Sequence, residues 1–110
     1  MIVELGRRHR RYRDLTPDRP YVVIGIEADH FRILNDQGRP FLYPGRLFRV
    51  VDRREPDDWI SDVGAEGERY AYPAPLNGVG FFEDFFDGNE RAVRTFWRVV
   101  NEQLTVAAAR

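Results

Sequence analysis

Pro20-Tyr21-Val22-Val23-Ile24-Gly25-Ile26-Glu27, then Ala28-Asp29, then His30-Phe31-Arg32-Ile33-Leu34, is the stretch on which the fold turns. The first run is rich in β-branched residues and bounded by Pro20 on one side and Ala28-Asp29 on the other, as a strand should be. The second alternates apolar with polar until Leu34. A tight turn over residues 27–30 pairs the two antiparallel. Asn35-Asp36-Gln37-Gly38 follows as a second turn, with Gly38 free to take a positive φ. Phe41-Leu42-Tyr43 is a third short strand stopped by Pro44-Gly45. Leu47-Phe48-Arg49-Val50-Val51 is a fourth stopped by Asp52.

Four strands at roughly ten-residue spacing predict a meander that curls on itself. A flat sheet of this composition leaves one apolar face in water, so it must bend or be covered. Downstream, Trp59-Ile60 reads as a further strand and Gly64-Ala65-Glu66-Gly67 as its turn. Glu68-Arg69-Tyr70-Ala71-Tyr72 reads as the return, ended by Pro73. Residues 73–88 read as loop plus a short helix carrying Phe81, Phe82, Phe85 and Phe86.

The C-terminal helix is expected over 89–106. Asn89 is a good N-cap and Glu90 suits the first turn. Val93, Phe96, Trp97, Val100 and Leu104 share one helical face. That stripe is expected to dock on the open face or mouth of the sheet, with Trp97 central to the core. The fold class is therefore mainly β with a C-terminal helix (α+β). It is expected as one domain over 1–110, with a β core over 1–72.

The chain has 110 residues, 43% of them apolar and 14% aromatic, enough for one core. It has no cysteine, which removes disulfides, thiolate metal sites and thiol nucleophiles. The opening residues meet charge at once and no run is long enough to span a bilayer. A reducing cytoplasm is the expected compartment, with no membrane partner.

A net charge of −1 conceals an asymmetry. Residues 1–54 carry 12 Arg against 7 acidic residues, and residues 55–110 carry 5 Arg against 11. Lysine is absent. The densest basic segment is Arg7-Arg8-His9-Arg10-Arg11-Tyr12-Arg13. It has two readings. Arginine neutralises phosphate and tyrosine stacks on bases, so Arg7, Arg8, Arg10, Arg11, Tyr12 and Arg13 are candidate nucleic-acid contacts on an N-terminal strand. Alternatively the segment is a solvated edge strand whose charges pair with the acidic half of the chain. An isoelectric point near 6.1 argues for the second.

Catalytic patterns are missing. His9 and His30 lie in different segments, and Ser61, the single serine, has no nucleophile-elbow residues around it. The carboxylates of Gly80-Phe81-Phe82-Glu83-Asp84-Phe85-Phe86-Asp87-Gly88 lack the spacing of a calcium loop. An acid–base pair such as Asp58 and Glu68 would need a shared cleft. No cofactor or metal is expected, and the chain is expected not to be an enzyme. The contact candidates for a protein partner are Glu83, Asp84 and Asp87 beside the phenylalanines, with Trp59, Tyr70 and Tyr72 as strand aromatics.

The rhythm of Tyr21–Ile26, Phe31–Leu34, Asn35–Gly38, Phe41–Tyr43 and Phe48–Asp52 resembles a small SH3-like barrel, of the kind found in compact bacterial domains of uncharacterised function. The resemblance covers residues 1–72. It implies a binding fold, one that elsewhere holds peptides, proteins or nucleic acid. The Ala-Leu-Tyr-Asp-Tyr run of peptide-binding SH3 domains is absent, so no proline-rich groove is implied. The expected function is a non-catalytic protein-binding module, such as a bacterial regulator or a toxin-neutralising immunity protein. The alternative is a nucleic-acid-binding barrel.

Overall fold

The computed structural model describes residues 1–109. In chain order the elements are β1 (Ile2–Leu5), β2 (Pro20–Glu27), β3 (His30–Leu34), β4 (Pro40–Pro44), β5 (Phe48–Asp52), β6 (Trp59–Val63), β7 (Arg69–Pro73), α1 (Phe81–Phe86) and α2 (Glu90–Ala108). All strand pairings are antiparallel, and the main path runs β4-β3-β2-β1-β5. That path is open, ending on β4 and β5, which are joined by one 3-10 turn over Gly45–Leu47.

β2 organises the sheet. One edge pairs with β3 along its C-terminal half. The other edge is divided: Pro20, Tyr21 and Val22 pair with β1, whereas Ile26 and Glu27 pair with β7. The division follows from a bulge between Val23 and Gly25, where the register to β3 slips by one residue. A bulge bends and twists its strand, so one strand serves two differently oriented neighbours.

The bulge also sorts the side chains. Tyr21, Val23 and Ile26 enter an inner cluster with Val3, Leu5, Leu15, Ile33, Tyr43 and Ala71. Ile24 faces the other way, into an outer cluster with Tyr72, Leu76, Phe85, Ala92, Phe96, Val99 and Val100. The bent sheet thus encloses one core on its concave side, and α1 and α2 cover the opposite face.

α2 starts where the sequence places it. The Asn89 side-chain oxygen accepts from the Ala92 backbone N–H at 3.0 Å, satisfying one of the free donors of the first turn. Its buried face differs from the expected stripe. Ala92, Phe96, Val99, Val100 and Gln103 are buried, while Trp97 and Leu104 are each more than a third exposed. The helix is rotated towards Ala92 and Val99, and it lies across the outer face of β2 without plugging the mouth of the sheet. Phe96, fully buried and 4.6 Å ring to ring from Phe85, holds the position expected of Trp97.

Candidate functional site

Residues 6–19, between β1 and β2, form an irregular loop carrying all five arginines of the basic run. The expectation of a strand here is corrected: Arg7–Arg13 joins no ladder. The reason is anchoring from elsewhere in the chain. Leu15 is fully buried in the inner cluster. The Asp36 backbone N–H donates to the Asp14 carbonyl at 2.9 Å. The Tyr43 hydroxyl donates to Asp14 Oδ2 at 2.7 Å, and Asn35 Nδ2 donates to the same oxygen at 3.1 Å. On the other flank, Thr16 Oγ1 and the Tyr21 hydroxyl donate to the two oxygens of Asp36, at 2.7 and 2.6 Å. Arg19 adds an ion pair to Asp36 at 3.0 Å. The β3–β4 turn therefore fixes the C-terminal half of the loop, gripping it on both sides of Leu15.

These contacts set the ionisation of the groups that make them. Burial alone would raise the Asp36 carboxyl, but hydrogen bonds from Thr16 and Tyr21, with Arg19 and Arg8 nearby, outweigh it and hold the group below its ordinary value. The Tyr43 hydroxyl is pushed well up by burial and by its bond to Asp14. Charge is thereby favoured on Asp36, and Tyr21 and Tyr43 are held in the neutral form.

Ahead of this grip, the loop projects its arginines outward. Arg7, Arg8, Arg10, Arg11 and Arg13 are all exposed. Among the described residues none of the five is in an ion pair, although six other arginines are: Arg19, Arg32, Arg49, Arg54, Arg69 and Arg94. Arg8 acts on the Asp36 carboxylate without pairing with it. Between loop and β4 lies an open cleft of about 570 Å³, lined by Arg10, Arg11 and Arg13, by Tyr12, Phe41 and Tyr43, and by Asp14. Tyr12 is half-buried, edge-on to Tyr43 at 5.6 Å and tilted against His9 at 5.0 Å.

The residues considered for a protein partner are dispersed. Glu83, Asp84 and Asp87 are exposed at α1. Trp59 packs on the inner cluster. Tyr70 is at the surface, but Tyr72 is buried, its hydroxyl donating to Glu27 Oε2 at 2.6 Å and accepting from Arg32 Nε at 2.7 Å. Tyr70, Tyr72 and Glu83 border one recess; Trp59, Asp84 and Asp87 do not.

Two features were not read from the sequence. Arg32 is buried in the outer core, where its strand's alternation suggests solvent. Asp14, Asn35 and Asp36 act together across the chain, which no local spacing signals. Asp58 and Glu68 are not brought together: Asp58 lines a cavity beside α2, and Glu68 accepts from the Glu66 backbone in the β6–β7 turn. Among the described residues no three His, Asp or Glu gather as metal ligands, and no helix is long and apolar enough to cross a membrane.

Compared with known proteins, the chain matches no family model, no curated protein and no solved structure.

Proposed function

We propose that this chain is a non-catalytic binding module that docks an acidic protein on the 6–19 loop and its cleft. One observation carries the reading: among the described residues, five exposed arginines crowded into seven positions of one loop form no ion pair, in a chain with ample carboxylates of its own. Unpaired like charges held together repel one another, and an acidic partner relieves that repulsion while steering encounter. A loop with one half already fixed also loses less conformational entropy on docking. The negative remainder of the chain disfavours polyanions that extend beyond the loop, which favours an acidic protein patch over a long nucleic acid.

The SH3-like arrangement belongs to the same proposal. It is supported by the long loop between β1 and β2, the β2–β3–β4 meander, the single 3-10 turn into β5 and the return of β5 to β1. The non-catalytic part is supported by the local engagement of the candidate groups. His9 Nδ1 accepts from the Arg11 backbone, His30 pairs with Asp29, and the Ser61 hydroxyl is held by Arg69. Work in the cytoplasm, as a regulator or a toxin-neutralising protein, is consistent with the lack of cysteine.

A second reading, single-stranded nucleic acid, is favoured by the aromatic residues in the lining of the cleft, since bases stack on rings such as Tyr12 and Phe41 beside arginines. A paired titration separates them. Wild type and the Arg8→Ala/Arg10→Ala/Arg11→Ala variant are titrated with a glutamate-rich peptide and with an oligouridine across a salt series. Salt-sensitive peptide binding, lost in the variant and stronger than oligouridine binding, is the expected result. Tight oligouridine binding with a steep salt slope establishes the second reading. No binding of either ligand at low salt overturns both.

A further inference from the structure

The β6–β7 hairpin is a second surface with unmatched charge. Residues 59–73 hold three acidic residues, Asp62, Glu66 and Glu68, and one cation, Arg69. Arg69 is already engaged: its two terminal nitrogens donate to the two oxygens of Glu55, each at 2.6 Å. Among the described residues none of the three carboxylates is in an ion pair. Glu68 accepts from the Glu66 backbone N–H at 2.9 Å. Apolar side chains are exposed among them: Val63 is 73% exposed beside Asp62, and Ile60 is 45% exposed. β6 pairs with β7 and its other edge is open. Whereas β4 begins and ends on proline, β6 has none to guard that edge.

Hairpin and arginine loop stand at opposite ends of β2. The loop runs into Pro20, while the Ala28 backbone N–H, just past Glu27, donates to the Arg69 carbonyl at 2.8 Å. An eight-residue strand separates its ends by roughly 20 Å or more. That exceeds the screening length of about 8 Å in physiological salt. The adjoining β2–β3 turn adds Asp29 with Arg46 near it, opposite charges that offset each other. The acidic hairpin therefore cannot relieve the loop's charge within one molecule, but it can in another.

We infer that the acidic surface docked by the 6–19 loop is the β6–β7 hairpin of a second copy of this chain. The inference rests on the loop reading above and names its partner. The charges match: the cleft is lined by Arg10, Arg11 and Arg13 against one carboxylate, Asp14, which Tyr43 and Asn35 already hold by hydrogen bonds. Polarity matches too. The cleft sets Phe41, 40% exposed, among arginines, and the hairpin sets Val63 among carboxylates, so an apolar contact lies inside a ring of opposite charges. The two surfaces differ, which makes the contact heterologous. Each copy gives its hairpin to one neighbour and its loop to another, and the assembly closes as a ring or extends.

Sedimentation velocity of the full chain tests this with two variants, Arg8→Ala/Arg10→Ala/Arg11→Ala and Asp62→Asn/Glu66→Gln/Glu68→Gln. Wild type should self-associate at low salt and weaken roughly tenfold or more between about 0.01 and 0.15 M salt. Each variant alone should be monomeric. Mixed in equal amounts they should form a 1:1 complex and stop there, since each keeps one intact surface. The inference is overturned if wild type stays monomeric at low salt, if either variant still self-associates, or if the mixture does not pair. Should a variant fail to fold, wild type decides alone: on dilution the backbone amide NMR signals of residues 7–13 and 61–68 must move together, and movement elsewhere instead overturns the inference. Titration of wild type with the glutamate-rich peptide keeps the two readings apart. Peptide binding by a chain that stays monomeric overturns the second-copy inference and leaves the docking reading standing, whereas the absence of both removes both.

Discussion

The guanidinium carbon of Arg32 lies 3.8 Å from the centre of the Phe82 ring, joining the middle of β3 to α1. The same side chain donates to the Tyr72 hydroxyl, the Pro40 carbonyl and Glu27 Oε2, at 2.7, 2.8 and 2.7 Å. A charge is tolerated beneath α1 because each face of the guanidinium is used: its edge by hydrogen bonds and its plane by an aromatic ring. Glu27 is about one-third exposed and Arg32 nearly buried. Removing one member of a fully buried pair costs about 3–5 kcal/mol. Since water reaches Glu27, Arg32→Ala is expected to lose roughly 2–4 kcal/mol in urea unfolding. In combination with Glu27→Gln the loss should be less than the sum of the single losses. Strict additivity would show that the two side chains do not act together.

The neighbours Phe96 and Trp97 are expected to differ sharply. Phe96 has no exposed surface and contacts the rings of Phe82, Phe85 and Trp97. Phe96→Ala should cost about 3–5 kcal/mol, the range for a buried aromatic. Trp97 is 36% exposed beside a surface recess shared with Leu104, so Trp97→Ala should cost about 1–2 kcal/mol less than a buried aromatic would. Equal losses of melting midpoint would mean that α2 sits in a different rotation.

That rotation shows what the sequence discloses and what it conceals. Turns and caps were legible because their chemistry is local: Gly38 and Gly67 adopt φ of 72° and 83°, and Asn89 caps α2. Strand existence was legible from runs of β-branched residues. The facing of α2 was not, because a hydrophobic stripe weights large residues. Ala92 and Gln103 are buried where Trp97 and Leu104 were expected, and a small residue and an amide carry no hydrophobic signal. Arg32 was obscured for a related reason, since alternation along β3 cannot tell that α1 covers the outer face. At the loop, the arginines were conspicuous. Their lack of ion pairs depends on Asp14, Asn35, Asp36 and Tyr43 meeting across distant positions, which only tertiary structure reveals.

The Asp36 contacts and the Arg32 network make stability depend on pH at both extremes. Burial alone would raise the Glu27 carboxyl, but hydrogen bonds from Tyr72 and Arg32 outweigh it and hold the group below its ordinary value of 4.5. Asp36 lies below its ordinary 3.8 for the reasons given above. A carboxyl depressed in the fold contributes stability above its unfolded pKa and loses it as pH falls through the folded one. Stability should therefore hold near neutrality and decline below 4.5 and 3.8 in turn. Tyr21, Tyr43 and Tyr72 have the opposite sign: burial raises each above its ordinary 10.0. Their contribution is complete below that value and is lost as pH rises beyond it. Urea midpoints across the pH range check both limbs. Glu27→Gln should flatten the acid limb and Tyr72→Phe the alkaline one; unchanged slopes in both would assign the titrations to other groups.

Gly25 offers the most direct test of how the two faces of the sheet are kept apart. A Cβ at this position would collide with the ring of Tyr72. In most strands alanine in place of glycine stabilises by roughly 0.5–1 kcal/mol, because it removes unfolded-state freedom. Here the ring is hard to displace: its hydroxyl is tied to Glu27 and Arg32, and its centre lies 5.4 Å from that of the Phe82 ring. Gly25→Ala should therefore destabilise by about 1–3 kcal/mol, the cost of overpacking. The same substitution made on Tyr72→Ala, where the obstructing ring is gone, should cost nothing or stabilise. That reversal of sign, measured by denaturant unfolding of the four members of the cycle, isolates the contact. A Gly25→Ala penalty that persists without the ring would place the constraint in the backbone of the bulge.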